Sequence, residues 1–182
     1  MNGLVLPRRR FIVGGLCVLA QGALARAEVA PAGRSITFRN THTGEELTAA
    51  YFSSDAYDPQ ALARIDHVLR DHRSGEIGHM DPPLFDYLHE VARRAGVEPR
   101  FEVISGFRSA TSNELLRRSG GGGVAQKSLH LKGKAIDVRL LGVETARVRD
   151  LALQIGRGGV GYYPKSDFVH IDTGRVRSWS GK

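Results

Sequence analysis

The chain of 182 residues contains a single cysteine, Cys17, which lies inside the apolar run of residues 11–20. Gly14, three positions before it, does not fit a lipoprotein signal, which has an aliphatic residue at that place. If the N-terminal segment is removed, the remaining chain has no cysteine and can form no disulfide. A zinc site in that chain would therefore use nitrogen and oxygen ligands.

The sequence also has no apolar run long enough for a membrane span, which needs about 20 residues. The run of residues 11–20 follows a short basic start and precedes the small-x-small sequence Ala25-Arg26-Ala27. This order predicts a signal peptide over residues 1–27. It is followed by a predicted linker over 28–34 and one predicted domain over 35–182. The protein is then expected in the periplasm or cell envelope, with no stable membrane anchor after cleavage.

The export route stays open between two readings of the basic start. Arg8-Arg9-Arg10-Phe11-Ile12 resembles the twin-arginine signal, in which an arginine pair precedes any residue, then Phe and an aliphatic residue. An ordinary basic start of a general export signal is the alternative.

A large charge of one sign is missing as well. Four of the 26 basic residues lie in the predicted signal, which holds no acid, so 22 basic and 19 acidic residues remain, a balance of +3. This modest charge argues against a nucleic-acid binder, which needs a basic stripe with stacking aromatics. It is compatible with work beside an anionic polymer such as a cell wall.

Strand and helix patterns alternate without regular βαβ units, which predicts the α+β class, with helices packed on a mainly antiparallel sheet. Strands are predicted from alternation and β-favouring residues, and helices from apolar spacing and caps. The predicted strands are 35–39, 47–52, 100–104, 134–139, 159–163 and 168–172. The predicted helices are 58 to about 73, 81–96, 111–118 and 144–155, and 119–123 is a predicted glycine loop.

Two histidines and a carboxylate form the most informative pattern. A short Leu-Lys-Gly-Lys turn lies between His130 and the strand that carries Asp137, so both side chains can point at one ion. Alternation places His170 on the strand face opposite Val169 and Ile171. Two neutral imidazoles and one carboxylate suit Zn²⁺, and three protein ligands leave a fourth position for water, as hydrolytic zinc sites require. The pattern predicts one zinc per chain; scattered polar residues around a turn are the alternative.

Five short motifs are spread over the second half of the chain. They are Ser105-Gly-Phe-Arg108-Ser109, Ser128-Leu-His130, Gly133-Lys-Ala-Ile-Asp137, Gly159-Val-Gly-Tyr-Tyr163 and His170-Ile-Asp-Thr-Gly174. Together they resemble the zinc D-Ala-D-Ala metallopeptidase group, which has the hedgehog/DD-peptidase fold, and within it the exported murein endopeptidase branch. The resemblance covers nearly all of the chain after residue 27. It implies a metallopeptidase that cuts peptidoglycan stem peptides, with zinc on His130, Asp137 and His170.

The resemblance also implies substrate contacts. Arg108 matches an arginine that faces the substrate, and a guanidinium beside a metal can hold a peptide carbonyl or its oxyanion. A surface salt bridge is the alternative for this residue. Ser128 either hydrogen-bonds substrate or orients the turn that carries His130. Tyr163 and Trp179 are candidate substrate contacts, with core packing as the alternative.

Two aspartates compete for the role of general base. Much of the group has Glu three residues before the last zinc ligand, and this chain has Asp167 there, one methylene shorter. Asp172 shares the strand face of His170, so it is either the base or a residue that orients His170. Asp167 is the favoured candidate.

The alternative function is a zinc-stabilised module that binds wall peptide or a protein partner without cutting it. Loss of Arg108 or Asp167 would favour that reading, and both are present. The sequence leaves open which bond is cut: between two diaminopimelates, between D-Ala and diaminopimelate, or before a terminal D-Ala. It also leaves protein partners open.

Overall fold

The computed structural model describes Met1 and residues 33–119 and 125–181. The predicted signal peptide beyond Met1, most of the predicted linker and residues 120–123 of the predicted glycine loop lie outside these described residues. No helix in the described ranges is long and apolar enough to cross a membrane.

Eight strands and four α-helices make up the described fold. The strands are β1 Arg34–Asn40, β2 Glu46–Ser53, β3 Ala56–Tyr57, β4 Arg100–Ser105, β5 Ala135–Leu140, β6 Gly159–Tyr163, β7 Phe168–Asp172 and β8 Arg177–Ser180. The helices are α1 Pro59–Val68, α2 Pro82–Ala95, α3 Ala110–Ser119 and α4 Thr145–Ile155, and a 3-10 helix covers Leu129–Lys132. The sequence patterns did not predict β8, because its sequence Arg-Ser-Trp-Ser holds one apolar residue and cannot display alternation.

All eight strands form one sheet in the order β3-β2-β1-β4-β5-β7-β6-β8. The pairs β1–β4 and β6–β8 are parallel, and the other neighbouring pairs are antiparallel. The α+β class is therefore confirmed, but the sheet is mixed rather than mainly antiparallel. The chain path explains the difference, because α1 and α2 intervene before β4 joins β1, and such long connections let a strand enter in parallel orientation.

The apolar core lies between one face of this sheet and the helices α1, α2 and α4. Phe38 of β1 and Phe85 of α2 are fully buried there, with ring centroids 5.8 Å apart. In the middle of the sheet, the buried residues Val138 and Val169 are directly opposite each other on β5 and β7. Their strand neighbours Asp137 and His170 must then point to the other face, because successive side chains alternate. The core thus leaves the opposite face for polar groups.

Helix α1 ends at Val68, five residues before the predicted end near residue 73. Its start is as predicted, since the Asp58 carboxylate accepts hydrogen bonds from the N–H groups of Gln60 and Ala61. At its end, the side-chain amide of Asn40 donates to the carbonyl of Val68. The chain then turns toward the loop that follows β4. A distant side chain therefore supplies the stop signal, and the local sequence does not show it.

Helix α2 ends as predicted at Gly96, whose φ of 76° is the left-handed conformation that glycine adopts most easily. Asp81 occupies the N-cap position, but its carboxylate forms no hydrogen bond with the helix N–H groups. It accepts a hydrogen bond of 2.6 Å from the hydroxyl of Thr173 instead. This contact ties the start of α2 to the segment that follows β7.

Candidate metal centre and active-site cavity

A row of paired residues crosses five neighbouring strands on the polar face of the sheet. Ser105 of β4 pairs with Asp137 of β5, Asp137 pairs with His170 of β7, His170 pairs with Gly161 of β6, and Gly161 pairs with Trp179 of β8. Directly paired residues on neighbouring strands point to the same face and lie side by side. Sheet register therefore places Asp137 against His170.

The third member of the cluster, His130, comes from the 3-10 helix that precedes β5. Ser128 caps this helix, because its hydroxyl accepts a hydrogen bond from the N–H of His130. The helix ends at Gly133, where φ is 62° and a methyl group would collide with the carbonyl oxygen of His79. The Nδ1 atom of His130 lies 2.7 Å from the carbonyl oxygen of Gly106 and donates to it, so in the neutral ring Nε2 is the nitrogen with a free lone pair.

Three potential ligand atoms converge at this point. Nε2 of His130 lies 3.3 Å from Nδ1 of His170 and 3.4 Å from Oδ2 of Asp137, and Nδ1 of His170 lies 2.8 Å from Oδ1 of Asp137. All three residues are buried. Ligands at about 2.0–2.1 Å from a tetrahedral zinc ion are separated by roughly 3.3 Å. The donor set and its spacing therefore fit a zinc ion, as the sequence pattern predicts.

Burial and charge act against each other at these ligands. Burial alone would raise the pKa of Asp137, but His130 and His170 outweigh it and hold that pKa far below its usual range. Burial alone would lower the pKa of His170, but its hydrogen bonds to Asp137 and Asp172 outweigh burial and raise the pKa to about 9. A buried carboxylate and a proton on His170 thus compensate each other in the metal-free protein.

Asp172 lies behind His170 and has every carboxylate position in use. Its Oδ2 atom is 3.0 Å from Nε2 of His170 and accepts a bond of 2.7 Å from Arg177. Its Oδ1 atom accepts from the backbone N–H groups of Gly159 and Gly174 and from Arg177. The residue is fully buried. This arrangement orients His170 and directs its Nδ1 atom toward the other ligands. A general base needs a free oxygen at the reacting water, and both oxygens of Asp172 are already hydrogen-bonded.

The carboxylate of Asp167 lies outside the cavity that contains the three candidate ligands. Its Oδ1 atom accepts a hydrogen bond of 2.8 Å from the hydroxyl of Thr145, and its Oδ2 atom lies 3.4 Å from Nε of Arg139. Thr145 is the first residue of α4, so the positive end of the helix dipole also attracts this charge. The structure therefore does not bring Asp167 together with His130, Asp137 and His170.

Arg108 reaches the centre from the loop after β4. A β-bulge between Val103 and Ser105 interrupts the alternation of β4 just before this loop. Among the described residues, the guanidinium of Arg108 has only distant partners: 3.3 Å to the Ser105 hydroxyl, 3.4 Å to Asn113 and 4.0 Å to Asp137. Its Nε–H is buried and has no hydrogen-bond partner among the described residues. Burial lowers the pKa of Arg108 from its usual value, with partial compensation by Asp137.

A buried aspartate holds this loop in place. Asp71, in the segment after α1, accepts hydrogen bonds from the backbone N–H and the hydroxyl of Ser109, at 2.9 and 2.7 Å. It also accepts from the N–H of Arg73. Since Ser109 directly follows Arg108, these bonds fix the backbone that carries the guanidinium. The alternative reading of Arg108 as a surface salt bridge does not fit its burial.

The three candidate ligands lie in the wall of an open cavity of about 550 Å³. The predicted substrate contacts Arg108, Ser128, Tyr163 and Trp179 all line it. Further lining residues that the sequence pattern did not indicate include Lys127, Phe168 and Arg177. Arg177 lies two residues before Trp179, so both side chains share one face of β8. Recognition of β8 as a strand would therefore have indicated Arg177. Asp137 is the one carboxylate in the described lining, which also holds the cationic side chains of Arg108, Lys127 and Arg177.

Comparison with known proteins identifies the family of the chain. The profile of the Peptidase_M15_2 family, described as peptidoglycan L,D-endopeptidase MepK, matches residues 28–179. The chain belongs to this family. It is 41% identical over 168 residues to the probable peptidoglycan L,D-endopeptidase MepK of Haemophilus influenzae, covering 92% of this chain and 89% of that protein. It is 43% identical over 166 residues to peptidoglycan L,D-endopeptidase MepK of Escherichia coli strain K12, covering 91% of this chain and 90% of that protein.

No solved structure matches the chain. Membership of the family confirms the resemblance to zinc D-Ala-D-Ala peptidases that the five motifs indicate. The family match begins at Glu28, the first residue after the predicted signal peptide.

Proposed function

We propose that the protein is a zinc-dependent peptidoglycan endopeptidase that hydrolyses stem-peptide cross-links of the bacterial cell wall. The observation that carries the proposal is the convergence of Nε2 of His130, Nδ1 of His170 and the Asp137 carboxylate in the wall of an open cavity. Both curated relatives described above are called peptidoglycan L,D-endopeptidases. The proposal includes the hedgehog/DD-peptidase fold that the motifs imply.

The three ligands are proposed to hold one Zn²⁺ per chain. Zinc in a site with three protein ligands polarises a carbonyl and activates a water molecule for hydrolysis. The protein supplies the geometry. Gly106 fixes the tautomer of His130 through its carbonyl, and Asp172 fixes the ring of His170, so each ring presents one unprotonated nitrogen to the ion.

The cations of the cavity suit an anionic substrate. Arg108, Lys127 and Arg177 line it, and stem peptides carry free carboxylates. Arg108 is proposed to bind the scissile carbonyl and the oxyanion that develops from it, because its guanidinium makes only long contacts and retains donor capacity. Ser128 orients the helix of His130, and Tyr163 and Trp179 form the aromatic wall of the cavity.

The proposed bond lies between two diaminopimelates. Of the three bonds that the sequence leaves open, this one joins an L centre to a D centre, whereas the other two join D centres. The printed activity of the relatives, L,D-endopeptidase, supports this choice.

Asp167 is the proposed general base, but its present contacts would have to change first. Asp167 can serve only if its carboxylate leaves Thr145 and Arg139, whereas Asp172 is committed to His170 and Arg177.

The test is digestion of purified muropeptides by protein that begins at Glu28. Diaminopimelate–diaminopimelate dimers should be cut, D-Ala–diaminopimelate dimers should be cut far more slowly, and a chelator should stop cleavage until zinc is restored. His130→Ala protein serves as the matched inactive control. Protein with full zinc that cuts neither dimer would show that the non-catalytic binding module is the correct reading.

Export before activity is also proposed, with removal of residues 1–27 and release of the domain that starts near residue 35. The start of the family match at Glu28 supports this boundary. N-terminal sequencing of protein from the periplasm should give Glu28, and replacement of Arg8 and Arg9 by Lys should block only twin-arginine transport. Full-length chain in the cytoplasm of normal cells would contradict it.

A further inference from the structure

Tyr163 and Trp179 form a hydrogen-bonded pair in the cavity wall. The indole Nε1–H of Trp179 donates to the phenol oxygen of Tyr163 at 3.0 Å. An indole nitrogen can only donate, so the phenol oxygen must be the acceptor in this bond. Trp179 is the one hydrogen-bond partner of that hydroxyl in the described part of the chain. The O–H of Tyr163 is therefore left available as a donor.

The pair is held by close packing around both rings. The ring of Tyr163 stacks on Phe168 with centroids 4.5 Å apart and an interplanar angle of 16°. A methyl group at Gly161 would lie 2.5 Å from the ring of Trp179, and one at Gly181 would lie 2.1 Å from the ring of Tyr163. Glycine at these two positions lets both rings lie against the backbone. The hydroxyl is thus fixed in place before any ligand arrives.

The pair also lies in the wall of the cavity that contains the three candidate ligands. Tyr163 and Trp179 line the same cavity as the three candidate ligands, and the ring of Trp179 lies 5.1 Å from that of His170. Core packing, the alternative reading of both residues, does not account for their place in the wall of an open cavity.

We propose that Tyr163 is a catalytic residue that donates its O–H to the scissile carbonyl oxygen as this oxygen becomes an oxyanion, in addition to Arg108. The inference rests on the proposed endopeptidase function. The hydrogen stays on the phenol, so no covalent bond forms or breaks at Tyr163. Trp179 is a positioning residue, because its N–H occupies the acceptor side of the phenol and directs the hydrogen away from itself into the cavity.

The experiment measures kcat and KM on the diaminopimelate–diaminopimelate dimer for zinc-loaded wild type, Tyr163→Phe, Trp179→Phe and the double variant. Tyr162→Phe is the matched control, since Tyr162 precedes Tyr163 on β6 and packs against the core and Arg149. Tyr163→Phe should lower kcat about a hundredfold with little change in KM. Trp179→Phe should lower kcat roughly fivefold. The double variant should be no slower than Tyr163→Phe, because the N–H of Trp179 acts through the phenol.

Zinc content and thermal unfolding are measured on every variant, and fluorescence adds a readout independent of activity. Trp179 is the single tryptophan of the chain, so its emission reports on this pair alone. Tyr163→Phe should shift the emission, and Tyr162→Phe should not.

The proposal is overturned if Tyr163→Phe keeps the wild-type kcat or raises only KM, while wild type cuts the dimer. It is also overturned if Trp179→Phe slows the Tyr163→Phe protein as much as it slows wild type. If Tyr163→Phe loses zinc, Trp179→Phe decides instead. An unchanged kcat in Trp179→Phe then overturns the proposal. Wild type that holds zinc and cuts nothing refutes the endopeptidase function itself.

Discussion

Nε2 of His170 lies 3.0 Å from Oδ2 of Asp172, while Nδ1 of the same ring lies 2.8 Å from Oδ1 of Asp137. One imidazole thus contacts two carboxylates with different surroundings. Asp137 faces the cavity, and Asp172 is fully buried and bound by Arg177. Asp137, at Nδ1, is the proposed metal ligand, and Asp172, at Nε2, orients the ring of His170.

Removal of either histidine ligand should abolish zinc binding and activity but leave the fold. His130→Ala and His170→Ala should each contain less than a tenth of the zinc of wild type, because two remaining ligands bind zinc weakly. The core lies on the other face of the sheet, so far-ultraviolet circular dichroism should be nearly unchanged. His67→Ala, on the exposed side of α1, is the control and should keep its zinc. Full zinc in both ligand variants would refute the assignment.

Substitution of the two aspartates should separate their roles. Asp172→Asn should weaken zinc affinity about tenfold to a hundredfold, as expected for a residue that orients a ligand. Asp167→Asn should keep wild-type zinc affinity, because its carboxylate contacts Thr145 and Arg139. Competition with a chromophoric chelator measures both affinities. If Asp167→Asn keeps its zinc but loses activity, Asp167 is the base. If Asp167→Asn keeps wild-type activity while Asp172→Asn is inactive with zinc bound, Asp172 is the base.

Arg108→Ala should retain zinc and lose about a hundredfold to a thousandfold in kcat/KM, roughly 2.7–4 kcal/mol, if its guanidinium stabilises an oxyanion. Steady-state hydrolysis of a diaminopimelate–diaminopimelate dimer gives this ratio. Arg39→Ala is the control, because Arg39 is exposed and pairs with Glu102 away from the cavity. A decrease in kcat/KM smaller than threefold would show that Arg108 has a structural role.

Zinc affinity should increase with pH between pH 6 and pH 9. The hydrogen bonds of His170 to Asp137 and Asp172 outweigh burial and raise its pKa to about 9 in the metal-free protein. Zinc must displace this proton, so the apparent affinity should fall roughly tenfold for each pH unit below 9. Chelator competition at pH 6, 7 and 8 gives the slope. An affinity independent of pH would mean that His170 is unprotonated before zinc binds.

Asp71 should stabilise the fold by a pH-dependent amount. Burial would raise its pKa, but hydrogen bonds from Ser112, Ser109 and Arg73 outweigh burial and lower it. A lowered pKa means that the contribution is fully present above the unfolded value of about 3.9 and is lost as the pH falls below it. Asp71→Asn should therefore reduce the free energy of unfolding by about 1–3 kcal/mol at pH 7. The difference from wild type should shrink near pH 3.

Urea titrations at both pH values measure this difference. Asp55→Asn is the control, because Asp55 is exposed in the turn between β2 and β3. A difference that stays constant from pH 7 to pH 3 would show that the substitution acts through packing rather than charge. Since Asp71 holds Ser109, Asp71→Asn should also lower activity through Arg108 while zinc content is unchanged.

Features that depend on neighbours along the chain could be predicted from the amino-acid sequence. Alternation in β7 places His170 opposite Val169 and Ile171, the Asp58 cap starts α1, and Gly96 ends α2. His130 and Asp137 are only seven positions apart, so their convergence follows from one turn. Each of these signals lies within a few residues, where steric and hydrogen-bonding preferences act directly.

Features that depend on partners far away in the chain could be seen only in the folded protein. The mixed sheet requires β1 to meet β4 and β6 to meet β8. In sequence, Asp167 lies between Ser166 and Phe168, which both line the cavity. Its carboxylate nevertheless lies outside the cavity, because it contacts Thr145 and Arg139. Asp172 is committed because Arg177, from a strand that the local pattern did not reveal, binds both of its oxygens. Carboxylates of the same chemistry thus differ in role because their partners come from different strands and helices.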